Sequence, residues 1–386
     1  MKFIPYGRQF IDSKDINAVK KALKNELITT GNEVEKFEKL FSKKIGARYA
    51  VSCSNATAGL LLSYLALEIK KNEIIIMPSI NFIASANMAR FINAKIFLTD
   101  VDPVTGRMRP QDLIECIKIN KIKKINSVVI MHHGGLPCDM KNFNLLRKKY
   151  KFNIIEDACH ALGAKYNNLK NEKVGNCKYS DLSVFSFHPV KNITTGEGGM
   201  VTTNSKNLYE KLKILKNHGI IKKANNKKNY NWSYEIITNG FNFRLNDFQC
   251  ALGISQLKKL DKFINRRQII AKKYINNFSS LKNLINVPNA QQSKLSAFHL
   301  FIININFKKI KITRNQLIKK LFSLGIITQV HYIPVFNHQY YKKMFKKKYF
   351  NNAIKFFNSC ISIPIFYGMT EKEIEFVSNQ IKRIIK

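Results

Sequence analysis

Short apolar runs separated by amphipathic stretches set the rhythm of the first two thirds of the chain. Residues 74–77, 95–98, 127–131 and 153–155 are brief, mostly apolar runs, the signature of strands buried on both faces. Residues 34–44 and 110–119 repeat apolar positions at helical spacing. Strands alternating with helices predict an α/β domain whose mainly parallel sheet carries its functional groups at the strands' carboxyl ends. Two more apolar runs, 182–187 and 200–203, predict strands on either side of a glycine-rich turn. From about Phe248 a periodic pattern through Leu252, Leu257, Leu260 and Phe263 predicts a helix leading into a smaller α+β domain. Residues 298–305 and 325–330 predict strands there, and a closing helix starts at Glu371. The expected division is 1–250 for the large domain and 251–386 for the small one. No internal repeat is evident, and the Lys/Asn-rich residues 222–232 predict a long exposed loop.

At 386 residues the chain is long enough for two domains and a large core. No apolar stretch approaches the roughly 18 residues of a membrane span, and the first residues lack the features of a signal peptide. Seven cysteines without a Cys-x-x-Cys pair predict neither a disulfide framework nor a zinc site. A reducing cytoplasm and no metal are expected. The balance of 65 Lys+Arg against 25 Asp+Glu gives a net charge of +40, which raises nucleic acid and anionic membranes as partners. The lysines are scattered among asparagines and isoleucines, as in 118–126 and 222–231, a pattern of A- and T-rich codons. No recognition helix, zinc finger or aromatic-basic RNA motif is present. Neither nucleic acid nor membrane is expected as a partner, while the charge helps draw in anionic substrates.

The candidate chemistry centres on Lys191, in the run Ser186-Phe187-His188-Pro189-Val190-Lys191-Asn192-Ile193-Thr194-Thr195-Gly196-Glu197-Gly198-Gly199-Met200. A lysine at a turn between two strands can point its amine into a cleft, and the glycines let backbone crowd close to a bound group. The strand before it ends in Asp157-Ala158-Cys159-His160, which puts a carboxylate at another strand's carboxyl edge. Pyridoxal phosphate chemistry uses this pair: an amine for a Schiff base and an anion for the pyridinium nitrogen. A solvated loop charge is the plainer reading of a lysine beside glycines. Ser54-Asn55-Ala56-Thr57 precedes a helical pattern over 58–67, and a helix N-terminus is a site for a phosphate. Simple capping by Asn55 or Thr57 is the alternative, and the two are compatible.

Several blocks in order resemble the DegT/DnrJ/StrS sugar aminotransferase family, across essentially the whole chain. They are Leu27-Ile28-Thr29-Thr30-Gly31, Ser54-Asn55-Ala56-Thr57-Ala58, Pro78-Ser79-Ile80-Asn81-Phe82 and Glu156-Asp157-Ala158-Cys159-His160-Ala161. The Lys191 run follows, then Phe241-Asn242-Phe243-Arg244 with Gln249, and Val330-His331-Tyr332-Ile333-Pro334-Val335. The resemblance implies a type I pyridoxal-phosphate transferase fold, aspartate aminotransferase-like, with a seven-stranded sheet. It implies pyridoxal 5'-phosphate as cofactor, passing through its pyridoxamine form, with Lys191 and Asp157 as catalytic residues. By the same resemblance Ala56, Thr57 and Ser186 bind the phosphate and Phe82 stacks on the ring, with core packing as its alternative. His160 packs by the ring or tunes Asp157, unless it is structural. Asn242 reaches the neighbouring subunit's phosphate, so that a homodimer shares its sites. Tyr6, Thr30, His188, His331 and Tyr332 surround a nucleotide-sugar pocket, and Arg244 binds a substrate anion or forms a structural ion pair.

The implied reaction moves the amino group of L-glutamate to a keto sugar and releases 2-oxoglutarate. Lys191 favours transamination over the dehydratases of the family, which carry histidine there. Thr194-Thr195-Gly196-Glu197-Gly198-Gly199 resembles the branch acting on 4-keto sugars. His188-Pro189-Val190-Lys191 and the Val330 block most resemble the branch of pseudaminic acid biosynthesis, whose substrate is UDP-2-acetamido-2,6-dideoxy-β-L-arabino-hexos-4-ulose. Sugars of the GDP-perosamine or dTDP/UDP-viosamine type are the alternatives. The segment His132-His133-Gly134-Gly135-Leu136-Pro137-Cys138, where relatives vary, bears on which sugar is taken.

Overall fold

The computed structural model describes residues 3–167, 172–222, 232–289 and 293–385. In chain order the first strands are β1 (Tyr49–Cys53), β2 (Ile74–Pro78), β3 (Lys95–Thr99), β4 (Ser127–Met131) and β5 (Asn153–Asp157). A short hairpin, β6 (Lys165–Asn167) and β7 (Glu172–Lys173), precedes β8 (Leu182–Ser186) and β9 (Gly199–Thr203). Seven of these form the main sheet in the order β1-β9-β8-β5-β4-β2-β3. β3, β2, β4, β5 and β8 pair in parallel, and β9 runs antiparallel to both β8 and β1. The expected α/β class with a seven-stranded, mainly parallel sheet is borne out.

The apolar runs have neighbours on both faces, which is why they lack the alternation of half-exposed strands. Ile155, Val129 and Val184 join Leu60 and Leu62 of helix α3 (Ala56–Ala66) in one core cluster. Ile154, Val128 and Ile130 point the other way, against Leu113 and Phe143. These belong to α5 (Pro110–Ile119) and α6 (Met140–Tyr150). Helices α1 (Ser13–Ala22), α2 (Asn32–Ile45), α4 (Ala84–Phe91) and α7 (Lys206–Leu215) complete the layers.

The periodic pattern after Phe248 is α8 (Asp247–Asn277), 31 residues and so about 46 Å long. Its first half packs Leu257, Leu260 and Phe263 with Phe37 and Phe41. Its second half packs Ile270, Ala271 and Tyr274 into a separate cluster with Phe301, Ile303 and Ile363. That cluster fills a three-stranded antiparallel sheet of β12 (Ile285–Asn286), β13 (Phe301–Ile305) and β14 (Cys360–Ile363). Between α7 and α8 lies a two-stranded ribbon, β10 (Ile220–Lys222) and β11 (Tyr234–Ile236). The last helices are α9 (Arg314–Ser323), α10 (Asn351–Ser359) and α11 (Glu371–Ile385).

Two expectations are corrected. Residues 325–330 form no strand; they make only the single bridges Ile4↔Ile326 and Gln329↔Ser362 before the chain turns away. β13 starts at Phe301 rather than 298, because Ala297 N–H and Leu300 N–H are taken by the carbonyls of Gly135 and Gly134. The predicted loop over 222–232 falls mostly outside the described residues. Among the described residues no helix is long and apolar enough to cross a membrane. All seven cysteines are free thiols.

Candidate active site

β4 and β5 end in register at Met131 and Asp157, opposite Val184 of β8, which runs on to Ser186, and a cavity of about 830 Å³ opens beside these strand ends. The alternation of β5 sends Asp157 into this cavity and Glu156 to the opposite face. Asp157 is buried, accepts the Cys159 N–H at 3.2 Å, and has the Ser85 hydroxyl 3.5 Å from its other oxygen. It therefore keeps acceptor capacity toward the cavity. Glu156 spends its capacity inside the protein: it accepts from His132 Nε2 at 2.6 Å, from Ser183 Oγ at 2.9 Å, and from the Tyr166 and Ser180 hydroxyls. Burial opposes the charge of Glu156, but these donors outweigh it and hold the carboxyl below its ordinary value.

Lys191 stands on a tight turn closed by its own N–H to His188 O at 2.9 Å. Thr194 Oγ1 and Thr195 N–H both donate to Phe187 O, which fixes the loop to the end of β8. Lys191 Nζ lies 3.5 Å from His299 Nε2. Burial pulls the amine below the ordinary lysine value against the opposing pull of Cys159 and Asp157.

The N-terminus of α3 meets the same cavity. Asn55 caps the helix by accepting the Ala58 N–H at 2.9 Å. Helix geometry leaves the N–H groups of Ala56 and Thr57 without an intrahelical acceptor, and both residues line the cavity with Ser186. Gly199, paired with Ser186 across β8 and β9, lies against this helix start. A Cβ there would stand 2.7 Å from Asn55 C and 2.9 Å from Ala56 N. The cap leaves the Ala56 and Thr57 amides open toward the cavity, so capping and an anion site stay compatible here.

Opposite this end stands a group of neutral imidazoles. Gly134 N–H donates to His160 Nδ1 at 3.2 Å, so the ring proton is on Nε2 and goes to Tyr332 Oη at 2.9 Å. Tyr332 thus keeps its own hydroxyl proton for a ligand. His331 Nδ1 pairs with Ser362 Oγ at 2.8 Å, and the Tyr6 ring lies 5.5 Å from the His331 ring. Burial first, then nearby positive groups, pushes His160 well below the ordinary imidazole value and His331 down to about 3. Phe82 is 51% exposed with its ring 5.7 Å from that of Tyr332, so it flanks the cavity rather than filling the core.

Eleven of the fourteen candidate residues meet in this one cavity: Tyr6, Ala56, Thr57, Phe82, Asp157, His160, Ser186, His188, Lys191, His331 and Tyr332. Three do not. Thr30 and Arg244 line a second cavity of about 530 Å³, where Arg244 donates to Asn217 Oδ1 at 2.6 Å. Asn242 pairs through its backbone with Asn217 on the same side. His299 and Gln329, which the sequence reading did not single out, also line the main cavity, as does Glu197 of the Lys191 run. His299 sits singly in an apolar stretch, and only the fold brings it to Lys191.

The donor set fits pyridoxal phosphate. Two uncommitted amides and the hydroxyls of Thr57 and Ser186 suit a phosphate, a buried carboxylate suits a pyridinium nitrogen, and a half-buried amine suits an aldehyde. Known proteins agree. A transaminase of Campylobacter jejuni, described as UDP-4-amino-4,6-dideoxy-N-acetyl-beta-L-altrosamine transaminase, is 37% identical over 383 residues, covering 99% of this chain and 98% of the relative. Helicobacter pylori PseC, an aminotransferase involved in the biosynthesis of pseudoaminic acid, superposes with a TM-score of 0.92 at 28% identity, over 100% of this chain and 99% of its own. The sugar aminotransferase Spr1654 of Streptococcus pneumoniae, described as putative and solved in its PMP form, gives a TM-score of 0.89 at 26% identity, over 99% and 98%. Residues 9–382 match the sequence profile of the DegT/DnrJ/EryC1/StrS aminotransferases, and it is to this family that the chain belongs.

Proposed function

We propose that this chain transfers the amino group of L-glutamate to C4 of a nucleotide-linked 4-keto-6-deoxy sugar and releases 2-oxoglutarate. The sugar we assign is UDP-2-acetamido-2,6-dideoxy-β-L-arabino-hexos-4-ulose, on the strength of the full-length likeness to the Campylobacter transaminase. The observation that carries the reaction class is the meeting of Lys191 and Asp157 in one cavity beneath the uncommitted amides of α3.

Pyridoxal phosphate, when bound, supplies an electron-withdrawing ring that stabilises negative charge at the α-carbon of the amino acid. The protein's own residues do the rest. The amides of Ala56 and Thr57, with the Thr57 and Ser186 hydroxyls, would hold the phosphate dianion. Asp157 would be the carboxylate that keeps a proton on the pyridine nitrogen, and Phe82, exposed at the cavity's edge, would pack against the ring. Lys191 would be the amine that holds the aldehyde and, once free and kept neutral by its burial, the base that takes the proton from the α-carbon of glutamate. In the second half-reaction the same amine returns a proton to C4 of the sugar. The Tyr332 hydroxyl presents its proton to a substrate oxygen, and Tyr6, His188 and His331 border the sugar.

Thr30, Arg244 and Asn242 complete the site of a second copy in a homodimer, which accounts for their place outside the cavity of their own chain. In this reading residues 1–250 hold the cofactor and 251–386 close over it, in a cytoplasm that keeps the seven thiols reduced. The test is incubation with pyridoxal phosphate, glutamate and a panel of UDP-, GDP- and dTDP-linked 4-keto sugars, followed by mass spectrometry. A 4-amino product from the UDP sugar, absent with Lys191→Ala, is expected. Absence of any amino sugar across the panel would overturn the assignment.

A further inference from the structure

We infer that His299 is a positioning residue for Lys191: its imidazole holds the lysine amine in place without fixing it as an ammonium ion. The inference rests on the aminotransferase reading and deepens it.

His299 Nε2 is 3.5 Å from Lys191 Nζ. The imidazole is 4% exposed, and its Nδ1 has no partner among the described residues, so the ring has no other anchoring bond of its own. Its backbone is pinned instead. Arg267 Nη1 donates to the carbonyls of Phe298, His299 and Ile365 at 3.0, 3.3 and 2.9 Å. Ala297 and Leu300, on either side, are bonded to the carbonyls of Gly135 and Gly134. A side chain held this firmly by its main chain, yet bonded by its ring only to a lysine, is built to orient that lysine.

The choice of imidazole has a chemical reason. A lysine stem carries about 2 kcal/mol of rotamer entropy, so a fixed partner is needed to hold the amine in one geometry. A carboxylate could do this only by stabilising the charged form, which would keep the amine from acting as a base. A neutral imidazole, with its ring proton on Nδ1, accepts one N–H of the amine through Nε2 and so favours the ammonium form by only about one hydrogen bond, far less than a carboxylate would. Burial, then the positive charges of Lys191 and Arg267, hold His299 well below the ordinary imidazole value. Arg267 is 2% exposed and bonded to carbonyls alone, so its cation is not neutralised by a bonded carboxylate.

The experiment uses the cofactor-free full chain, acetylated briefly with acetic anhydride from pH 6 to 11, with each lysine followed by mass spectrometry. Exposed lysines are internal references. Asp157, Cys159 and His160 from the end of β5, His188 and Glu197 from the Lys191 turn, His331 and Tyr332 from the following segment, and Tyr6 also surround this cavity. All of them, and Arg267 behind His299, are kept in every variant. The wild-type Lys191 midpoint is expected below that of the exposed lysines. His299→Phe removes the acceptor and is expected to lower the midpoint further, making Lys191 about tenfold more reactive on the acid side, the size of one bond to a charged group. His299→Gln, which can accept and donate, is expected to recover most of that shift. If the phenylalanine protein loses its circular dichroism signature, His299→Asn, too short to reach, replaces it with the same expectation.

An unmoved midpoint in a folded variant, or a glutamine variant indistinguishable from phenylalanine or asparagine, overturns the inference. Cofactor uptake is measured separately on the wild type by borohydride reduction onto Lys191. Uptake with an unmoved midpoint sinks only the role of His299. A wild type that takes up no cofactor sinks the aminotransferase reading.

Discussion

Replacing Gly199 by alanine adds one methyl group at the place where β9 begins and α3 starts. The new carbon would stand 2.7 Å from Asn55 C, 2.8 Å from Asn55 O and 2.9 Å from Ala56 N. All three are backbone atoms, so no side chain can rotate away. Ordinary contact needs about 3.5 Å, so the helix start and the strand must separate by roughly 0.8 Å. Overpacking of this kind costs about 1–3 kcal/mol. The displaced atoms belong to the turn that presents the Ala56 and Thr57 amides, so cofactor affinity is expected to fall by about tenfold or more, each tenfold being 1.4 kcal/mol. Gly196→Ala is the control. Gly196 has φ +83° but meets nothing within 4 Å, so alanine there brings roughly 1–2 kcal/mol of backbone strain and no push on α3. Urea unfolding of the cofactor-free proteins reads the first effect, and titration with pyridoxal phosphate reads the second. If Gly199→Ala binds cofactor as the wild type does, or Gly196→Ala weakens it equally, the phosphate site does not lie at the start of α3.

Three further outcomes are expected. His133, His160, His299 and His331 are buried and held below the ordinary imidazole value of 6.5, His133 at about 4 and His331 at about 3. From pH 6.5 down to about 4 the unfolded chain therefore binds protons that the folded one does not. Stability should fall with falling pH in that window, by up to about 1.4 kcal/mol per pH unit for each histidine; equal urea midpoints at pH 7.5 and 5 would contradict this. Glu156→Ala strands the donors of His132, Tyr166, Ser180 and Ser183 in the interior. A loss of about 3–5 kcal/mol is expected by urea unfolding, and a change under 1 kcal/mol would show that the network is replaceable. Mixing Lys191→Ala with Asn242→Ala protomers, each inactive alone, should restore about a quarter of wild-type turnover if the homodimer shares its sites. No recovery after subunit exchange would remove the shared site.

The parts of this molecule that were legible in the sequence are those whose cause is local. Residues 127–131 read as a strand because a two-sided burial leaves no room for polar positions, and α8 read as a helix because its apolar stripe persists over eight turns. Lys191, Asp157 and the start of α3 were legible because turn, strand end and helix cap each leave a mark within a few residues. β1 was missed: Tyr49-Ala50-Val51-Ser52-Cys53 is too short and mixed to stand out, and its place as an outer strand is set by pairing with β9. Residues 325–330 looked like a strand by composition, but Ile4 and Ser362 each offer only one pairing there. His299 was illegible for a related reason. Its place in the cavity depends on Arg267 and Gly135, which come from distant parts of the chain.

The single rod of α8 ties these distant parts together. Phe263 and Ile264 plug one core, Ile270 and Tyr274 plug the other, and Arg267 lies on the few residues between. One residue inserted at that junction would rotate everything beyond it by about 100° and advance it by about 1.5 Å. Both cores would keep their composition but lose their common phase. Among variants of this protein, length changes in that short span should be far rarer than substitutions, because the helix acts as a ruler as well as a wall.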